Sequence, residues 1–537
     1  MTHSELFRKL AHTIKIVRYC QQNNISTSEG IERILAIKEL ASNRRSKRRE
    51  FLADIGKLTL IGGTLGVGSG YFDHALAAPS AVNAKIAIIG AGLAGLTCGY
   101  ELQKRGIKAT IYEASERAGG RCYSLENLFP GQVAERGAEL IDNLHKTILG
   151  YAQEFKLPLE DLSKQPGEIF YYFDNQRYSE SAVVEEFRNL TTAMKDDLRT
   201  IGSPTADSYT QAERELDFTT LDKYLDTRGA GYLLKNVIKA AYVGEYGLEI
   251  NEQSCLNFLL FIHADKRSKF KPFGVFSDER YHIIGGNQQI VEGMKNRLPG
   301  QINYGRKLIA VRKDSAGKIE LTFNGGLSEK FDAVVLAIPF STLREVDLQQ
   351  LQLPASKLNA INNFSYGTNS KLIVGFNSRP WVNLGSSGFA YTNLSNIQGT
   401  WETNPSQANN QRAVLTNYAG GKYGAGLNPQ KIQQETSNFV NQLKNVFPGA
   451  DTAAVKINGN QFLAHLENWL LNPLNQGSYT CNRPGYFTTI AGNESKPVDN
   501  LYFAGEHTNS FYEWQGFMEG AAISGVTVAK QILQKFK

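Results

Sequence analysis

The chain has few cysteines for its length. Five occur among 537 residues, and they stand far apart, at positions 20, 98, 122, 255 and 481. Metal sites usually draw on cysteines or histidines a few residues apart, so this spacing predicts no metal centre. Buried free thiols are the default expectation for the cysteines, although an oxidising compartment would permit disulfides.

Charge is also scarce. Acidic and basic residues make up 20% of the chain, and the formal net charge is +6. Residues 1–77 contain 12 lysines and arginines and 7 aspartates and glutamates, so they carry +5 of that charge and the remainder is close to neutral. This distribution argues against a nucleic-acid surface. The apolar fraction of 42% is that of a globular protein, with length enough for two or three domains.

No apolar run in the sequence is long enough to form a transmembrane helix. The nearest, residues 58–70, is short and diluted by glycine. It follows the Arg48-Arg49 pair and precedes the small residues of Ala75-Leu76-Ala77, which is the order of a twin-arginine export signal. We therefore expect residues 46–77 to engage the twin-arginine translocase and the folded protein to be periplasmic or secreted. The alternative is a basic surface helix followed by a linker.

Residues 1–45 precede this signal. The stretches "LFRKLAHTIKIVRYC" and "GIERILAIKELA" have apolar residues at helical spacing, which predicts two short amphipathic helices. The next methionine after Met1 is Met194, so no nearby methionine offers another start. We expect an N-terminal helical extension, to which the sequence assigns no function.

A glycine-rich turn follows a buried-strand pattern at residues 85–89. Gly90, Gly92 and Gly95 form GxGxxG, and the second strand of the unit ends at Glu113. Gly90 permits a tight turn, Gly92 lets the backbone approach a pyrophosphate, and Gly95 allows close packing of the next helix. Glu113 is placed to accept ribose hydroxyls. This order predicts a dinucleotide site, whereas a plain glycine turn is the alternative.

The stretch "EASERAGGRC" continues this unit, with Arg117, Gly120 and Arg121 in its loop. With these residues the chain resembles the flavin-containing amine oxidase family, which includes monoamine, polyamine and L-amino acid oxidases. The resemblance extends from about Ala84 to Lys537 and implies FAD rather than NAD, because the family's GGR loop crosses the cofactor. A surface loop with a solvated arginine is the alternative.

The closing stretch "LYFAGEHTNSFYEWQGFMEG" resembles the end of the family's sequences. There the backbone of Gly505 and Glu506 would meet the pyrophosphate, and a helix beginning near Phe517 would point its N-terminus at the flavin. Leu308 would pair its backbone with the adenine. The implied fold is α/β, with a discontinuous Rossmann-like FAD-binding domain and an inserted α+β substrate domain.

The resemblance also implies the limits of these domains. The FAD-binding domain would comprise residues 83–143, 276–339 and 480–537. The substrate-binding domain would comprise residues 144–275 and 340–479.

Three positions match the family's catalytic residues. Lys371 matches the lysine that holds a water beside the flavin, and Tyr479 and Phe517 match the aromatic pair that faces it. Ser478 stands where monoamine oxidases carry a cysteine for a thioether to the flavin, so FAD is expected to be non-covalent. Without the resemblance, an exposed lysine and core aromatic residues would be the ordinary interpretation.

The substrate is less well specified. The stretch "VAERGAELIDNLHK" aligns with the segment that supplies the carboxylate-binding arginine of many L-amino acid oxidases, but no arginine follows Glu139. Asp142 matches a carboxylate that polyamine oxidases use for a substrate ammonium, and equally suits the cap of a helix that begins near Leu144. Trp514 lies in the same closing segment as Phe517 and is a further candidate for substrate contact.

The implied reaction is the oxidative deamination of an amine, with dioxygen as acceptor and hydrogen peroxide as product. An L-amino acid oxidase, including one for basic amino acids, is the main alternative. The remaining alternatives are another FAD-dependent desaturase or oxidase and an exported flavoprotein without activity. The expected partners are the small-molecule substrate, dioxygen and the translocase, and a homodimer is compatible with the family.

Overall fold

The computed structural model describes residues 84–162, 165–263, 279–405 and 412–536, together with Val17, Cys20, residues 25–27 and Ile31. The predicted export signal lies outside these residues. A five-stranded parallel sheet forms the first layer. Its strands, in spatial order, are Leu501–Phe503, Ala333–Leu336, Ile86–Ile89, Thr110–Tyr112 and Ile302–Asn303.

This sheet is built from widely separated parts of the chain. Its central strands Ile86–Ile89 and Ala333–Leu336 are buried at every position, as expected for parallel strands with both faces covered. The helices Leu93–Gln103 and Met518–Lys535 pack closely against each other, because Gly525 has no Cβ that would meet the Ala94 carbonyl oxygen at 2.4 Å. The fold is therefore α/β with a Rossmann-like sheet, as predicted; the domain limits remain predictions.

A seven-stranded mixed sheet forms the second layer. Its strands, in spatial order, are Ala464–Asn468, Ser370–Phe376, Ala413–Ala419, Gly399–Glu402, Ser386–Thr392, Glu168–Phe173 and Gln176–Tyr178. Neighbouring strands are antiparallel except for Ser386–Thr392 and Glu168–Phe173. The sheet carries Lys371 near the start of a strand whose seven residues are all buried.

Smaller sheets complete the β-structure. One has the three strands Leu308–Lys313, Ile319–Phe323 and Ser328–Phe331, and three two-stranded pairs are Ser124–Phe129 with Gln132–Glu135, Leu159–Asp161 with Tyr281–Ile283, and Lys456–Ile457 with Gln461–Phe462. The remaining α-helices are Lys146–Glu154, Glu180–Ala193, Lys195–Thr200, Gln211–Asp217, Leu221–Thr227, Tyr232–Tyr246, Leu256–His263, Gln288–Lys295, Phe340–Leu343, Ala355–Asn363, Pro380–Asn383, Gly421–Gly426, Ile432–Val446, Ala450–Ala453 and Tyr486–Thr489.

The described residues of the N-terminal extension pack against this body. Val17 and Cys20 are fully buried in the same apolar cluster as the helix Glu180–Ala193. The guanidinium of Arg188 on that helix donates to the Thr27 hydroxyl at 2.8 Å and to the Ile25 carbonyl at 3.3 Å. These residues therefore belong to the folded structure.

All five cysteines are buried, and Cys98, Cys122, Cys255 and Cys481 form no disulfide within the part of the chain that the structure describes. Within the described ranges, no helix has the length and apolarity needed to cross a membrane.

Candidate active site

The glycine turn joins the first strand of the parallel sheet to its first helix. Gly90 adopts φ +103°, and a Cβ there would lie 2.6 Å from the Ala337 carbonyl oxygen. A Cβ on Gly95 would lie 2.0 Å from the Gly90 carbonyl oxygen, so the helix packs onto the turn only because this residue is glycine. A Cβ on Gly92 would meet no atom within 4 Å, which leaves open space beside the backbone.

The carboxylate of Glu113 is fixed beside this turn. One of its oxygens accepts the backbone N–H of Ala91 at 2.8 Å, and the other accepts the backbone N–H and the hydroxyl of Ser115 at 2.9 and 2.8 Å. Each carboxylate oxygen has two lone pairs, so a ribose hydroxyl can still be accepted. The binding of ribose hydroxyls by Glu113 remains a prediction.

The GGR loop lies across the turn. Gly119 and Gly120 adopt φ +114° and +56°, a region that favours glycine, and Gly119 pairs with Gly92. Arg117 donates to the carbonyls of Ala118 and Gly120 and stacks on the Tyr123 ring. The arginine thus fixes the shape of its own loop.

Arg121 connects this loop to the end of the chain. Its guanidinium donates to the Ser478 carbonyl at 2.5 Å and to the Glu506 carboxylate at 3.0 Å. Burial alone would raise the pKa of Glu506, but the Arg121 charge holds that pKa below its usual range. Thr480 donates a further hydrogen bond to Glu506 at 2.7 Å.

An open cavity runs past these elements, with about 1310 Å³ of empty space that includes its opening to solvent. The glycine turn, the GGR loop and the segment that contains Gly505 and Glu506 line this cavity. The start of the C-terminal helix also lines it, through Phe517, Met518 and Ala521. The other predicted residues on its walls are Gly90, Gly92, Glu113, Arg117, Gly120, Arg121, Leu308, Gly505 and Glu506. Gly95 is not on the wall but beneath the turn.

This cavity fits a flavin dinucleotide on structural grounds. The space beside Gly92 is where a pyrophosphate can approach the backbone, and two helix N-termini, at Leu93 and Met518, border the cavity. Helix N-termini favour negative charge. Glu113 lies on the same wall as an acceptor for ribose hydroxyls.

Lys371 is 4% exposed and ion-paired with Glu139. Its ammonium also donates to the carbonyls of Gly137 at 2.8 Å and Glu135 at 3.2 Å. The second oxygen of Glu139 accepts the indole N–H of Trp401 at 2.8 Å. The three donors of the ammonium therefore all have acceptors in the protein, and Glu139, a predicted substrate residue, is bound to the predicted catalytic lysine.

The predicted aromatic pair divides between two places. Phe517 lines the cavity, whereas Tyr479 is buried behind it, with its ring 3.5 Å from where a Cβ on Gly516 would lie. The Tyr479 hydroxyl donates to the Glu245 carbonyl and is 3.0 Å from the Tyr418 hydroxyl. Burial raises the pKa of Tyr479 well above its usual value.

Trp514 contacts Phe517 edge-on, with ring centroids 5.4 Å apart, and contacts His145 at 4.5 Å. It does not line the cavity. Its backbone is held against the C-terminal helix, since a Cβ on Gly520 would lie 1.9 Å from the Trp514 carbonyl oxygen. Substrate contact by Trp514 remains a prediction.

Asp142 is fully buried, and its two carboxylate oxygens accept backbone N–H groups. One accepts from Leu144 at 2.6 Å and the other from Glu279 at 3.1 Å. The helix beyond begins at Lys146. The N-cap residue of that helix is His145, and no side chain makes a capping hydrogen bond there, so Asp142 holds the preceding loop and does not cap the helix. The substrate role of Asp142 remains a prediction.

We expect Asp142→Asn to lower the free energy of unfolding by about 1–2 kcal/mol, because the amide NH₂ would face one of the two backbone donors. The ratio of activity on putrescine to activity on a monoamine of equal length should not change. Denaturant unfolding and steady-state kinetics measure the two effects. A loss confined to the diamine would instead restore Asp142 to the substrate site.

Ser478 is buried, and its hydroxyl donates to the Asn369 side chain at 2.5 Å.

Cys122 is a cavity-lining thiol, and burial raises its pKa to about 12, so it stays protonated near neutral pH. A protonated thiol is a poor nucleophile.

Two further residues, Glu519 and His507, lie at or beside the cavity and were not among the predicted site residues. Glu519, in the first turn of the C-terminal helix, accepts the backbone N–H groups of Thr147 and Ile148 at 2.8 Å each, which ties that helix to the one beginning at Lys146. His507 lines the cavity. Its position directly after Gly505 and Glu506 was the only sequence signal for it.

The fold and this site define a flavin-dependent oxidoreductase. Residues 93–533 match the model of the flavin containing amine oxidoreductase family, and the chain belongs to that family. It is therefore an oxidoreductase that acts on amines.

Relatives named as L-amino-acid oxidases lie at low sequence identity. The L-amino-acid oxidase of Vipera ammodytes ammodytes is 23% identical over 472 residues, which cover 83% of this chain and 92% of the relative. BmooLAAO-I of Bothrops moojeni, also an L-amino-acid oxidase, is 24% identical over 83% of this chain and 89% of its own length.

Solved structures share the fold. Cyclohexylamine oxidase from Brevibacterium oxydans IH-35A superposes with a TM-score of 0.72 at 19% identity, covering 84% of this chain and 99% of its own. Putrescine oxidase bound to putrescine superposes with a TM-score of 0.70 at 18% identity, with the same coverage.

Proposed function

We propose that the protein binds FAD non-covalently and oxidises a primary amine or polyamine, with dioxygen as the electron acceptor. The observation that carries this proposal is that the glycine turn, the GGR loop and the first turn of the C-terminal helix line the same cavity. The absence of a cysteine at Ser478 and the high pKa of the Cys122 thiol support non-covalent binding.

Each part of the cavity has a binding task in this proposal. The N–H groups at the start of the helix Leu93–Gln103 would bind the pyrophosphate, and Glu113 would accept the adenosine ribose hydroxyls. Leu308 would contact the adenine. The C-terminal helix would stabilise negative charge on the flavin, since its N-terminus carries a partial positive charge.

FAD, when bound, supplies the acceptor for the hydride equivalent removed from the carbon that bears the amine, and dioxygen takes up the two electrons to give hydrogen peroxide. Phe517 provides a flat apolar wall that excludes water from this position. The imine product then reacts with water to give a carbonyl compound and ammonia or an amine.

An amine is favoured over an amino acid because Glu139 and Leu140 stand where many L-amino acid oxidases supply an arginine. The structural neighbours named putrescine oxidase and cyclohexylamine oxidase agree with this choice. The second candidate is an L-amino acid oxidase, including one for basic amino acids, because relatives of that name align with 83% of the chain.

A peroxide-coupled assay on the FAD-loaded protein tests the choice of substrate. The panel should contain putrescine, cyclohexylamine, L-arginine and L-leucine, with the matching D-amino acids as controls. We expect the amines to give the higher kcat/KM. Peroxide from L-amino acids alone would replace the amine proposal by the second candidate.

The export signal predicted for residues 46–77 supports a periplasmic or secreted enzyme that is exported with FAD bound. Processing after Ala77 would also remove the residues that pack against the helix Glu180–Ala193. An export route for folded proteins suits an enzyme that acquires its cofactor in the cytoplasm. Assembly as a homodimer is a further part of the proposal.

Replacing Arg48 and Arg49 together by lysine should leave active enzyme in the cytoplasm. A twin-arginine receptor reads paired guanidinium groups, which lysine does not reproduce. Fractionation followed by the peroxide assay measures the distribution. Undiminished periplasmic activity of this variant would contradict the export route.

A further inference from the structure

Trp401 lies on the same face of the seven-stranded sheet as Lys371. In the register of the sheet, Lys371 is opposite Tyr418, and Tyr418 is opposite Gly399 on the next strand. Trp401 comes two residues after Gly399, and side chains two residues apart on a strand point to the same face. The rings of Trp401 and Tyr418 have centroids 5.2 Å apart, and the Lys371 ammonium lies 5.9 Å from each centroid.

The indole of Trp401 binds the carboxylate that pairs with this lysine. Its N–H donates to one oxygen of Glu139 at 2.8 Å, and the other oxygen of Glu139 accepts from the Lys371 ammonium. All three side chains are buried, so water competes little for these bonds. The Glu139 carboxylate cannot rotate without breaking one of the two bonds. Trp401 therefore fixes the orientation of the acceptor to which the ammonium is bound.

The position of the ammonium matters because it is held next to the cofactor cavity. Besides Glu139, Lys371 binds the backbone carbonyl of Gly137 at 2.8 Å, and the next residue, Ala138, lines the cavity. Glu139 is the charged acceptor among the contacts of the ammonium, and charge-assisted hydrogen bonds are the stronger ones. A change in the orientation of Glu139 would shift the ammonium relative to the cavity wall.

We infer that Trp401 is a positioning residue for the reaction, which acts by holding Glu139 so that the Lys371 ammonium keeps its place beside the cofactor cavity. This inference rests on the proposed function, in which Lys371 assists flavin reduction or reoxidation. Trp401 itself does not line the cavity, so its effect on the reaction passes through the lysine.

The same strand supplies a matched control on its opposite face. Glu402 follows Trp401 in the strand Gly399–Glu402, so its side chain points to the other side of the sheet. The indole of Trp381 donates to Glu402 at 3.0 Å, and Arg379 pairs with the same carboxylate at 2.7 Å. Trp381 is thus a second buried tryptophan that binds an ion-paired carboxylate, and it does not line the cofactor cavity.

The test uses the full-length protein with substitutions at both tryptophans. Trp401→Phe and Trp381→Phe each remove one indole N–H and keep an aromatic ring. Stopped-flow absorbance follows flavin reduction and reoxidation with putrescine, or with the substrate of the panel that has the highest kcat/KM. We expect Trp401→Phe to slow the step that Lys371→Met slows by at least about fivefold, and Trp381→Phe to leave it within about twofold of the wild type.

A double-mutant cycle distinguishes positioning from a general structural effect. When Lys371→Met is already present, adding Trp401→Phe should change the rate by less than about twofold, because the lysine through which it acts is gone. Titration with FAD should give both tryptophan variants a Kd within about twofold of the wild type. The apoprotein Tm should fall in both, since each loses a hydrogen bond to a buried carboxylate.

Wild-type rates in Trp401→Phe would overturn the inference. A fivefold loss that recurs in the Lys371→Met background would overturn it too, because independent effects multiply. An unchanged apoprotein Tm in Trp401→Phe would show that the bond to Glu139 holds nothing, with the same consequence. If Trp401→Phe does not fold, Trp401→Met replaces it, since methionine fills irregular space without an N–H. A wild-type flavin that no substrate of the panel reduces would overturn the proposed function itself, and the inference with it.

Discussion

Replacing Gly95 by alanine should abolish flavin binding and destabilise the fold. The new Cβ would lie 2.0 Å from the Gly90 carbonyl oxygen, a backbone atom that cannot yield without moving the turn. We expect a loss of about 3 kcal/mol or more in the free energy of unfolding, the upper range for overpacking. Flavin absorbance of the purified variant and denaturant unfolding measure the two effects.

Gly92→Ala separates binding from folding. Its Cβ would meet no protein atom within 4 Å, so the apoprotein should be as stable as the wild type while FAD affinity falls. Gly150→Ala, on an exposed helix surface with nothing within 4 Å, should change neither FAD affinity nor activity.

A yellow, fully stable Gly95→Ala variant would contradict the assigned packing of the turn.

Replacing Lys371 by methionine should slow flavin reduction or reoxidation at least about tenfold, roughly 1.4 kcal/mol of barrier, while FAD stays bound. The buried ammonium of Lys371 donates to the carbonyl of Gly137. The next residue in the chain, Ala138, lines the cavity, so the lysine lies close to the cavity wall. The variant should also lose about 3–5 kcal/mol of stability, because Glu139 is left as a buried charge without its cation. Stopped-flow absorbance and thermal unfolding are the measurements.

The double variant Lys371→Met with Glu139→Gln distinguishes chemistry from stability. It removes both charges of the buried pair, so we expect stability to recover towards that of the wild type. The rate defect should persist. If rates recover along with stability, Lys371 is a structural residue and leaves the catalytic proposal.

The cofactor side of the site was predictable from the sequence because its signals are local. Gly90, Gly95 and Glu113 lie within one strand–turn–helix–strand unit, and each occupies the place that its residue type demands. The first helix begins directly after Gly92, because that residue ends the turn. At these positions the local backbone geometry and the residue type correspond, so the sequence alone indicates the local structure.

The substrate side was less predictable, because its contacts join distant parts of the chain. The pairing of Lys371 with Glu139 spans 232 positions and the bond from Trp401 to Glu139 spans 262, and neither leaves a pattern in the sequence. Asp142 was matched to a substrate ammonium or a helix cap. In the structure Asp142 accepts from the backbone of Leu144 and Glu279, whereas His145 occupies the N-cap position of the helix.

The most direct test of amine oxidation is anaerobic mixing of the FAD-loaded protein with single substrates while the absorbance of the oxidised flavin is followed. We predict that putrescine or another amine of the panel removes this absorbance, and that admitting dioxygen restores it with release of hydrogen peroxide. A protein that holds FAD but keeps its flavin oxidised with every amine and amino acid of the panel would contradict the proposed function.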